Sequence, residues 1–400
     1  MKGYRAVLRS VVLTFVSAVA IAGVAHSESA LPDYNRDPLP PDPSGMSRTA
    51  AEIAGAITLG WNLGNTLEAI GGETAWGNPV VTEEQIRLVR QSGFDGIRLP
   101  VSWHQYANAT SAKIDPDWLD RVKEIVGYCI DNDLYVILNI HWDGGWLEER
   151  VDEAHRASNI ARQRAYWQQI ATHLREFDER LMFAGANEPN VDTKAQMKVL
   201  DAYHQAFVDA VRETGGRNAY RVLIVQGPGT DIEKTAKLWK AMPTDTVADR
   251  LMMELHFYTP YNFTLMTEDA DWGNQFYYWG DGFHSATDTA HNPTWGEEAA
   301  VEQLFAQVRT QFVDRGIPVL LGEFGAMRRS NLTGDAYRQH LAARVYYLGF
   351  VANRARAHGL LPFYWDSGGL DNNGSGIFDR RKPAVYDTPA LKALHVGVGK

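Results

Sequence analysis

Residues 96–140 begin with Gly96-Ile97-Arg98-Leu99-Pro100 and end with Tyr135-Val136-Ile137-Leu138-Asn139-Ile140. Both segments are short apolar runs of the kind that form strands buried in a parallel sheet. The residues between them, over 118–131, repeat apolar side chains at helical spacing. Strand, helix and strand in this order make a βαβ unit, which indicates an α/β protein.

The same alternation continues in both directions along the chain. Eight apolar runs suit buried parallel strands, over residues 58–62, 96–100, 135–140, 181–186, 222–226, 251–256, 318–323 and 361–365. Helical patterns are clear over 82–92, 118–131, 161–177, 195–213 and 298–315, and weaker after Gln226. Because eight is the strand number of a TIM barrel, we predict an α/β fold with a single (β/α)8 barrel and elaborated loops at the C-terminal face of the strands.

An open, doubly wound sheet is the structural alternative to the barrel. Such sheets usually carry a glycine-rich turn after the first strand, and Leu63-Gly64-Asn65-Thr66 does not have that spacing. The pattern therefore favours the barrel. Since no repeat and no second domain is visible after residue 46, we expect one barrel domain over 47–400.

The N-terminal residues have the pattern of an export signal. Lys2, Arg5 and Arg9 precede an apolar run over 11–24 and the small residues at 25–27. A transmembrane anchor is the alternative, but the run is shorter than the roughly 20 residues that a spanning helix needs. We predict a signal peptide over 1–27, a secreted (extracellular or periplasmic) protein without a membrane anchor, and a proline-rich linker or flexible arm over 28–46.

Charge and cysteine content narrow the possible partners. The formal charge is −10, and removal of residues 1–27 takes away three positive charges and no negative one, which leaves −13. Such an acidic surface argues against nucleic acid as a partner. Cys129 is the only cysteine, which excludes an internal disulfide and a thiolate zinc cluster. We expect a monomer that needs no cofactor.

Polar and aromatic side chains close most of the predicted strands. In a TIM barrel the active site lies at this end of the strands. The residues concerned are Arg98, Asn139, His141, Asn187, Glu188, Glu254, His256, Tyr258, Glu323 and Trp365. A packed core would not use this set, so we expect a functional site here.

Glu188 and Glu323 carry the chemical argument. Cleavage of a glycosidic bond with retention needs two carboxyl groups about 5–5.5 Å apart, one protonated and one ionised. Arg98 and the Tyr258 hydroxyl suit an ionised Glu323, and Asn187 suits a sugar 2-hydroxyl. Taken singly, Glu188 could stabilise a helix N-terminus and Glu323 could belong to a structural ion pair, but their joint appearance at strand ends favours catalysis.

Two other chemistries are weaker alternatives. His141 and His256 could bind a metal, but neither has a second histidine at helical spacing, so we expect no metal. A serine hydrolase is disfavoured because the chain has no G-x-S-x-G motif.

Tryptophan is concentrated near the same strand ends. Eight of the 12 tryptophans lie at or just beyond predicted strand ends, namely Trp61, Trp76, Trp103, Trp142, Trp146, Trp272, Trp279 and Trp365. Aromatic rings suit the apolar faces of pyranose rings, and we expect about half of these to be structural instead. Trp365 is the strongest candidate for a sugar platform.

Several motifs closely resemble glycoside hydrolase family 5, a clan A family with many bacterial endoglucanases. They are Gly60-Trp61-Asn62-Leu63-Gly64-Asn65-Thr66-Leu67-Glu68, Glu73-Thr74-Ala75-Trp76-Gly77-Asn78-Pro79, Ile97-Arg98-Leu99-Pro100-Val101-Ser102-Trp103, Asn187-Glu188-Pro189 and Leu321-Gly322-Glu323-Phe324-Gly325. The resemblance covers roughly residues 47–394. It implies Glu188 as acid/base and Glu323 as nucleophile, with Arg98, His141, Asn187, His256, Tyr258 and Trp365 lining the subsite around the bond. Beside these, we expect substrate contacts from Asn65, Trp61 and Trp142.

The resemblance also implies a substrate class. It predicts a secreted, retaining endo-β-1,4-glucanase that acts on cellulose or a related β-glucan. Relatives often carry His-His where this chain has His141-Trp142, and a glutamate where it has Ala184, so we expect altered subsites. Xyloglucan, mixed-linkage glucan, mannan or xylan as the main substrate, and a barrel that binds carbohydrate without cleaving it, remain alternatives.

Overall fold

A closed barrel of eight parallel strands forms the centre of the computed structural model, which describes residues 31–400. The strands are β1 (Gly60–Leu63), β2 (Gly96–Leu99), β3 (Tyr135–Asn139), β4 (Leu181–Ala184), β5 (Leu223–Gln226), β6 (Leu251–Phe257), β7 (Val319–Phe324) and β8 (Leu360–Asp366). Residues of β8 pair with β1 and so close the sheet. The TIM-barrel prediction is confirmed, and all eight predicted strands occur.

A helix follows every strand. These helices are α1 (Glu83–Gln91), α2 (Pro116–Asp131), α3 (Arg156–Leu174), α4 (Lys194–Glu213), α5 (Ile232–Leu238), α6 (Glu298–Gln311), α7 (Gly334–Ala357) and α8 (Thr388–Val398). Capping boxes at Thr82 and Thr193 start α1 and α4, where each threonine and the glutamine three residues later bond reciprocally. The weak pattern after Gln226 corresponds to α5, which has only seven residues.

The interior of the barrel is apolar at one end and polar at the other. Alternate strand residues, including Ile137, Met182 and Met252, form a cluster separate from the rest of the core. A short helix, Ala50–Ala56, packs Ile53 against this cluster. Because side chains alternate along a strand, the next interior positions lie two residues further on. Those positions carry the polar groups of the site.

Residues 31–46 correct the expectation of a flexible arm for the part of that segment that the structure describes. Leu39–Pro41 forms a short strand parallel to Gly215–Gly216, and the Tyr34 hydroxyl donates to the carbonyl of Ser111 at 2.9 Å. Prolines are tolerated because the pairing uses the amides of Leu39 and Asp42, which donate at 3.1 and 3.0 Å. The predicted signal peptide, residues 1–27, lies outside the described residues. Across residues 31–400 the helices lack the length and apolar character needed to cross a membrane.

Candidate active site

Arg98 links the acidic and amide groups at the C-terminal end of the barrel. It lies on β2 and is fully buried. Its Nε is 2.8 Å from Glu254 Oε1, its Nη1 donates to Glu323 Oε1 at 2.8 Å, and its Nη2 donates to Asn187 Oδ1 at 2.8 Å. Asn62 Oδ1 accepts a further bond from Nη1 at 3.0 Å. One guanidinium therefore fixes side chains from four other strands or strand ends.

Glu323 is turned into the barrel by an irregularity in the sheet. The register between β6 and β7 shifts after Leu255, so that His256 pairs with Glu323. A Cβ at Gly322 would lie 2.2 Å from Glu254 Oε1, so glycine is required where the buried carboxylate crosses the strand. The Tyr258 hydroxyl donates to Glu323 Oε2 at 3.0 Å. Both oxygens of Glu323 thus have fixed donors, as the sequence predicts.

Glu188 lies just beyond β4 and is more open to solvent. Its side chain is 43% exposed, against 8% for Glu323. His256 Nδ1 lies 2.6 Å from Glu188 Oε1, and Thr230 donates to the same oxygen at 3.4 Å. A cavity of about 220 Å³ borders Glu188 and is lined in part by Thr230, Tyr258 and Tyr261. The open side of Glu188 is where a leaving group or a water molecule can reach it.

The two carboxyl groups face each other across a short gap. Oxygens of Glu188 and Glu323 and a ring nitrogen of His256 all lie within 4.8 Å of one another. This separation fits the spacing of retaining glycosidases, about 5–5.5 Å, and is shorter than the 6.5–9.5 Å or so of inverting ones. The arrangement can form a covalent glycosyl intermediate.

His256 controls the charge of this pair. Burial lowers the pKa of His256, but the charge of Glu323 and the hydrogen bonds to Glu188 and Glu254 raise it to about 10, so the ring is cationic at neutral pH. Burial raises the pKa of Glu323, and the charge of Glu188 raises it further, so that it lies above its ordinary value. Burial also raises the pKa of Glu188, but His256 outweighs it and leaves the value lowered. In the substrate-free site His256 therefore favours an ionised Glu188.

Four of the remaining predicted substrate residues surround the mouth of the barrel, and the fifth, Trp61, does not. His141 and Trp365 stack with ring centres 5.7 Å apart and an interplanar angle of 14°. Trp142 is 39% exposed, and its indole N–H donates to Glu149 at 2.9 Å. Asn65 follows β1 in a left-handed conformation, and its carbonyl accepts from Asn78. These positions surround the mouth of the barrel.

Trp61 does not contact the site, which corrects its predicted role. It is 1% exposed, and its indole N–H donates to Asp366 at 3.0 Å. The ring packs against Phe378 and beneath the guanidinium of Arg380. Since Asn62 bonds to Arg98 inside the barrel, its neighbour Trp61 must point to the outside. Among the eight tryptophans singled out, Trp103, Trp146 and Trp279 are also buried, in line with the expectation that half are structural.

Among residues 31–400, Glu188, His256 and Glu323 are close enough to share a metal ion. His141, the other histidine predicted as a possible metal ligand, is not part of this group. Arg98 already donates to Glu323, and a cationic His256 cannot coordinate. The donor set therefore suits proton transfer better than metal binding.

Two residues of the site are missed from sequence, and a third, Glu254, is expected there without an assigned role. Glu254 precedes His256 by two residues on the same strand and so lies on the same face. Thr230 and Glu148 lie in loops after β5 and β3, where no period relates them to the site. Glu148 accepts a short hydrogen bond from the backbone N–H of Glu188.

Comparison with known proteins agrees with this geometry. The family model described as cellulase (glycosyl hydrolase family 5) matches residues 62–371. The chain belongs to glycosyl hydrolase family 5. As a member of this family it is a glycoside hydrolase, and the prediction drawn from its motifs is confirmed.

Relatives within family 5 include enzymes named for xyloglucan and for glucans more generally. The chain is 36% identical over 396 residues to a xyloglucan-specific endo-β-1,4-glucanase of Bacteroides ovatus, covering 94% of this chain and 76% of the relative. It is 34% identical over 377 residues to endoglucanase A of Paenibacillus barcinonensis, covering 88% and 91%. A xyloglucan-specific β-1,4-glucanase from a ruminal metagenomic library, solved with XXLG, superposes with a TM-score of 0.81 at 37% identity, covering 88% of this chain and 96% of that one.

Proposed function

We propose that this family 5 hydrolase is an exported, retaining endo-β-1,4-glucanase with Glu323 as nucleophile and Glu188 as acid/base. The observation that carries the proposal is the carboxyl pair, with oxygens within 4.8 Å. The roles follow from the surroundings of each group. Glu323 is held on both oxygens by Arg98 and Tyr258, as an attacking carboxylate must be. Glu188 stands on the open side, where it can reach the leaving oxygen and later a water molecule.

In the first step, Glu323 attacks the anomeric carbon while Glu188 donates a proton to the leaving oxygen. In the second, Glu188 takes a proton from water, which releases the sugar from Glu323. Glu188 must therefore be protonated when substrate is bound. A sugar that covers its exposed side would remove water from it and raise its pKa, which favours the protonated form that the first step needs.

The mechanism is tested with Glu323→Gln and Glu188→Gln. We expect each variant to fold and to lose nearly all hydrolysis of soluble β-glucan, because each removes one of the two groups that act together in the first step. Proton NMR of the first products of the unmodified enzyme should show the β-anomer before mutarotation. Full activity in either variant, or an α-anomer as the first product, would contradict the roles.

We further propose that the preferred β-1,4-glucan is xyloglucan. Two of the three relatives described above are named for this polysaccharide. The cavity of about 220 Å³ beside Glu188, bordered by Tyr261, offers room for a branch on the leaving-group side. A linear glucan would leave this space unfilled.

A reducing-end assay across purified xyloglucan, barley β-glucan, carboxymethylcellulose, mannan and xylan separates the substrates. We expect the highest kcat/KM on xyloglucan and almost none on mannan or xylan. Equal rates on xyloglucan and linear glucans would refute the preference while leaving the glucanase intact. Binding without new reducing ends would instead support a non-catalytic barrel.

Export is tested by N-terminal sequencing of the secreted protein, which should begin at residue 28.

A further inference from the structure

Glu148 is a buried carboxyl group that the proposed mechanism does not use. It lies in the loop between β3 and α3 and is 6% exposed. None of the ion pairs formed within residues 31–400 includes it, so that no cation compensates its burial. An uncompensated buried carboxyl destabilises a fold unless its oxygens are hydrogen-bonded. The contacts of Glu148 therefore indicate what it is for.

Those contacts go to the segment that carries Glu188. Strand β4 ends at Ala184, and the amide of Gly185 still donates to the carbonyl of Ile224 on β5 at 3.0 Å, whereas the amides of Ala186 and Glu188 donate to side chains. Gln226 Oε1 accepts from the amide of Ala186 at 3.0 Å, and Glu148 Oε1 accepts from the amide of Glu188. Pro189 has no N–H to offer. The next amide, of Asn190, donates at 2.9 Å to the backbone carbonyl of Glu148. One residue thus holds both amides that flank Pro189.

Glu148 also acts on the side chain before Glu188. The Asn187 side chain lies close enough to the Glu148 carboxyl to lower its pKa. Because Asn187 Oδ1 accepts from Arg98, the side-chain NH2 group of Asn187 stays available as a donor. Burial raises the pKa of Glu148 to about 8, and the charges of Glu188 and Glu323 raise it as well, although the amide of Glu188 lowers it. Over the acidic range the group is neutral and adds no repulsion to the pair.

The loop that presents Glu148 is itself firmly anchored. Asp143, four positions after the end of β3, accepts from the amides of Trp103 and His104 at 2.9 and 2.8 Å and from the Trp146 indole at 2.9 Å. Because the loop is held in place, Glu148 in turn holds the backbone groups that it binds. The backbone of Glu188 is therefore fixed from the β3 side and not by its own loop alone.

We propose that Glu148 is a positioning residue that aims the Glu188 carboxyl at the leaving oxygen by holding the Asn187-Glu188-Pro189 backbone. This inference rests on the proposed acid/base role of Glu188. Loss of the support lets the Glu188 segment shift, and a small displacement of a general acid greatly weakens proton transfer. The damage falls on substrates whose leaving group needs that proton.

The test compares two leaving groups in Glu148→Ala. We expect kcat/KM for a xyloglucan oligosaccharide to fall by about 10- to 100-fold. For 2,4-dinitrophenyl cellobioside, whose leaving group departs without a proton, kcat/KM should stay within about threefold. The second step still needs Glu188 as a base, so kcat for the aryl substrate should fall. Azide, which replaces water in that step without general-base help, should partly restore this kcat. A purely structural defect would lower kcat/KM for both substrates together.

Three variants serve as controls. Glu148→Gln keeps an oxygen that can accept from the Glu188 amide and should retain kcat/KM within about fivefold. Glu148→Asp withdraws the carboxyl by one methylene and should show the same selective loss as alanine, so it carries the test if Glu148→Ala does not fold. Glu153→Ala, on the same loop with a side chain 78% exposed, should behave as the unmodified enzyme.

The outcomes separate this inference from the mechanism on which it rests. Glu188→Gln is measured on the same two substrates. One outcome is that kcat/KM for the oligosaccharide falls selectively in Glu188→Gln but not in Glu148→Ala. In that case Glu148 has no positioning role and the acid/base assignment stands. If Glu188→Gln itself shows no leaving-group selectivity, the acid/base assignment fails and the role of Glu148 fails with it. Equal losses on both substrates in Glu148→Ala and Glu148→Asp would also overturn the proposal.

Discussion

Replacing Arg98 by lysine tests whether the guanidinium itself organises the site. The arginine reaches Glu254, Glu323 and Asn187 at once, each at 2.8 Å. A lysine keeps the positive charge but has one ammonium group on an unforked stem, which can approach only one of the two carboxylates. We expect it to stay with the fully buried Glu254 and to release Glu323.

The size of the effect follows from the contacts that are lost. A hydrogen bond to a charged group contributes about 1.5–3 kcal/mol, and about 1.4 kcal/mol corresponds to a factor of ten in rate. If the bond to Glu323 acts mainly in the transition state, kcat/KM should fall by about 10- to 150-fold in Arg98→Lys. The free energy of unfolding should fall by about 3 kcal/mol, because buried charges lose part of their pairing.

The assay needs a control that loses stability without touching the site. Arg221 is also fully buried, but it donates to the carbonyls of Phe177, Asp178 and Leu181 near the start of β4. Arg221→Lys should therefore lose stability to a similar degree and keep its kcat/KM on β-glucan. Urea unfolding and initial rates are measured on both variants at a temperature where each is folded.

A retained kcat/KM in Arg98→Lys, within about threefold, would refute the reasoning. It would mean that charge alone is sufficient and that the forked contacts do not align Glu323. An equal loss of activity in Arg221→Lys would refute it as well, since the loss would then reflect stability only.

Two further predictions concern the pH profile and sugar binding. His256→Asn removes a cation beside both carboxyl groups, which raises their pKa values. The acid limb of the kcat/KM profile should therefore move to higher pH by about 1–3 units. An unmoved limb, or one moved to lower pH, would contradict the charge assigned to His256. Trp365→Ala removes the ring that stacks on His141, and KM for cello-oligosaccharides should rise by about tenfold with the fold retained; an unchanged KM in steady-state kinetics would exclude a sugar platform there.

The barrel could be predicted because its strands are buried on both faces. Largely apolar runs of five or six residues mark such strands directly, and the two ends of each run fall close to those of the observed strands. Helix α7 was not predicted, although it has 24 residues. Its buried face includes His340 and Arg344, polar residues that interrupt the apolar period by which a helix is found.

The site was predictable where the strand itself supplies the residue. Arg98, His256 and Glu323 lie on strands whose ends had been located, so their meeting at one edge of the barrel followed from the fold. The predicted substrate contact of Trp61 is wrong, because its neighbour Asn62 occupies the interior position and side chains alternate between the two faces of a strand.

Residues on loops could not be placed from sequence. Thr230 and Glu148 reach Glu188 only because particular turns bring them back over the barrel, and no periodicity encodes that return. The attachment of residues 31–46 is hard to predict for a related reason. Their prolines forbid a regular ladder, but the amides of Leu39 and Asp42 are sufficient to attach the segment to the carbonyls of Thr214 and Gly216.

The most direct test of the carboxyl pair is to trap the covalent intermediate. A 2-deoxy-2-fluoro cellobioside with a dinitrophenolate leaving group reacts in the first step and is released slowly in the second, because fluorine destabilises both transition states. Intact mass should rise by one fluorocellobiosyl group, and peptide sequencing by mass spectrometry should locate it on Glu323. Glu188→Gln should still accept the label and Glu323→Gln should not. A label on Glu188, or full turnover with no labelled species, would contradict the account.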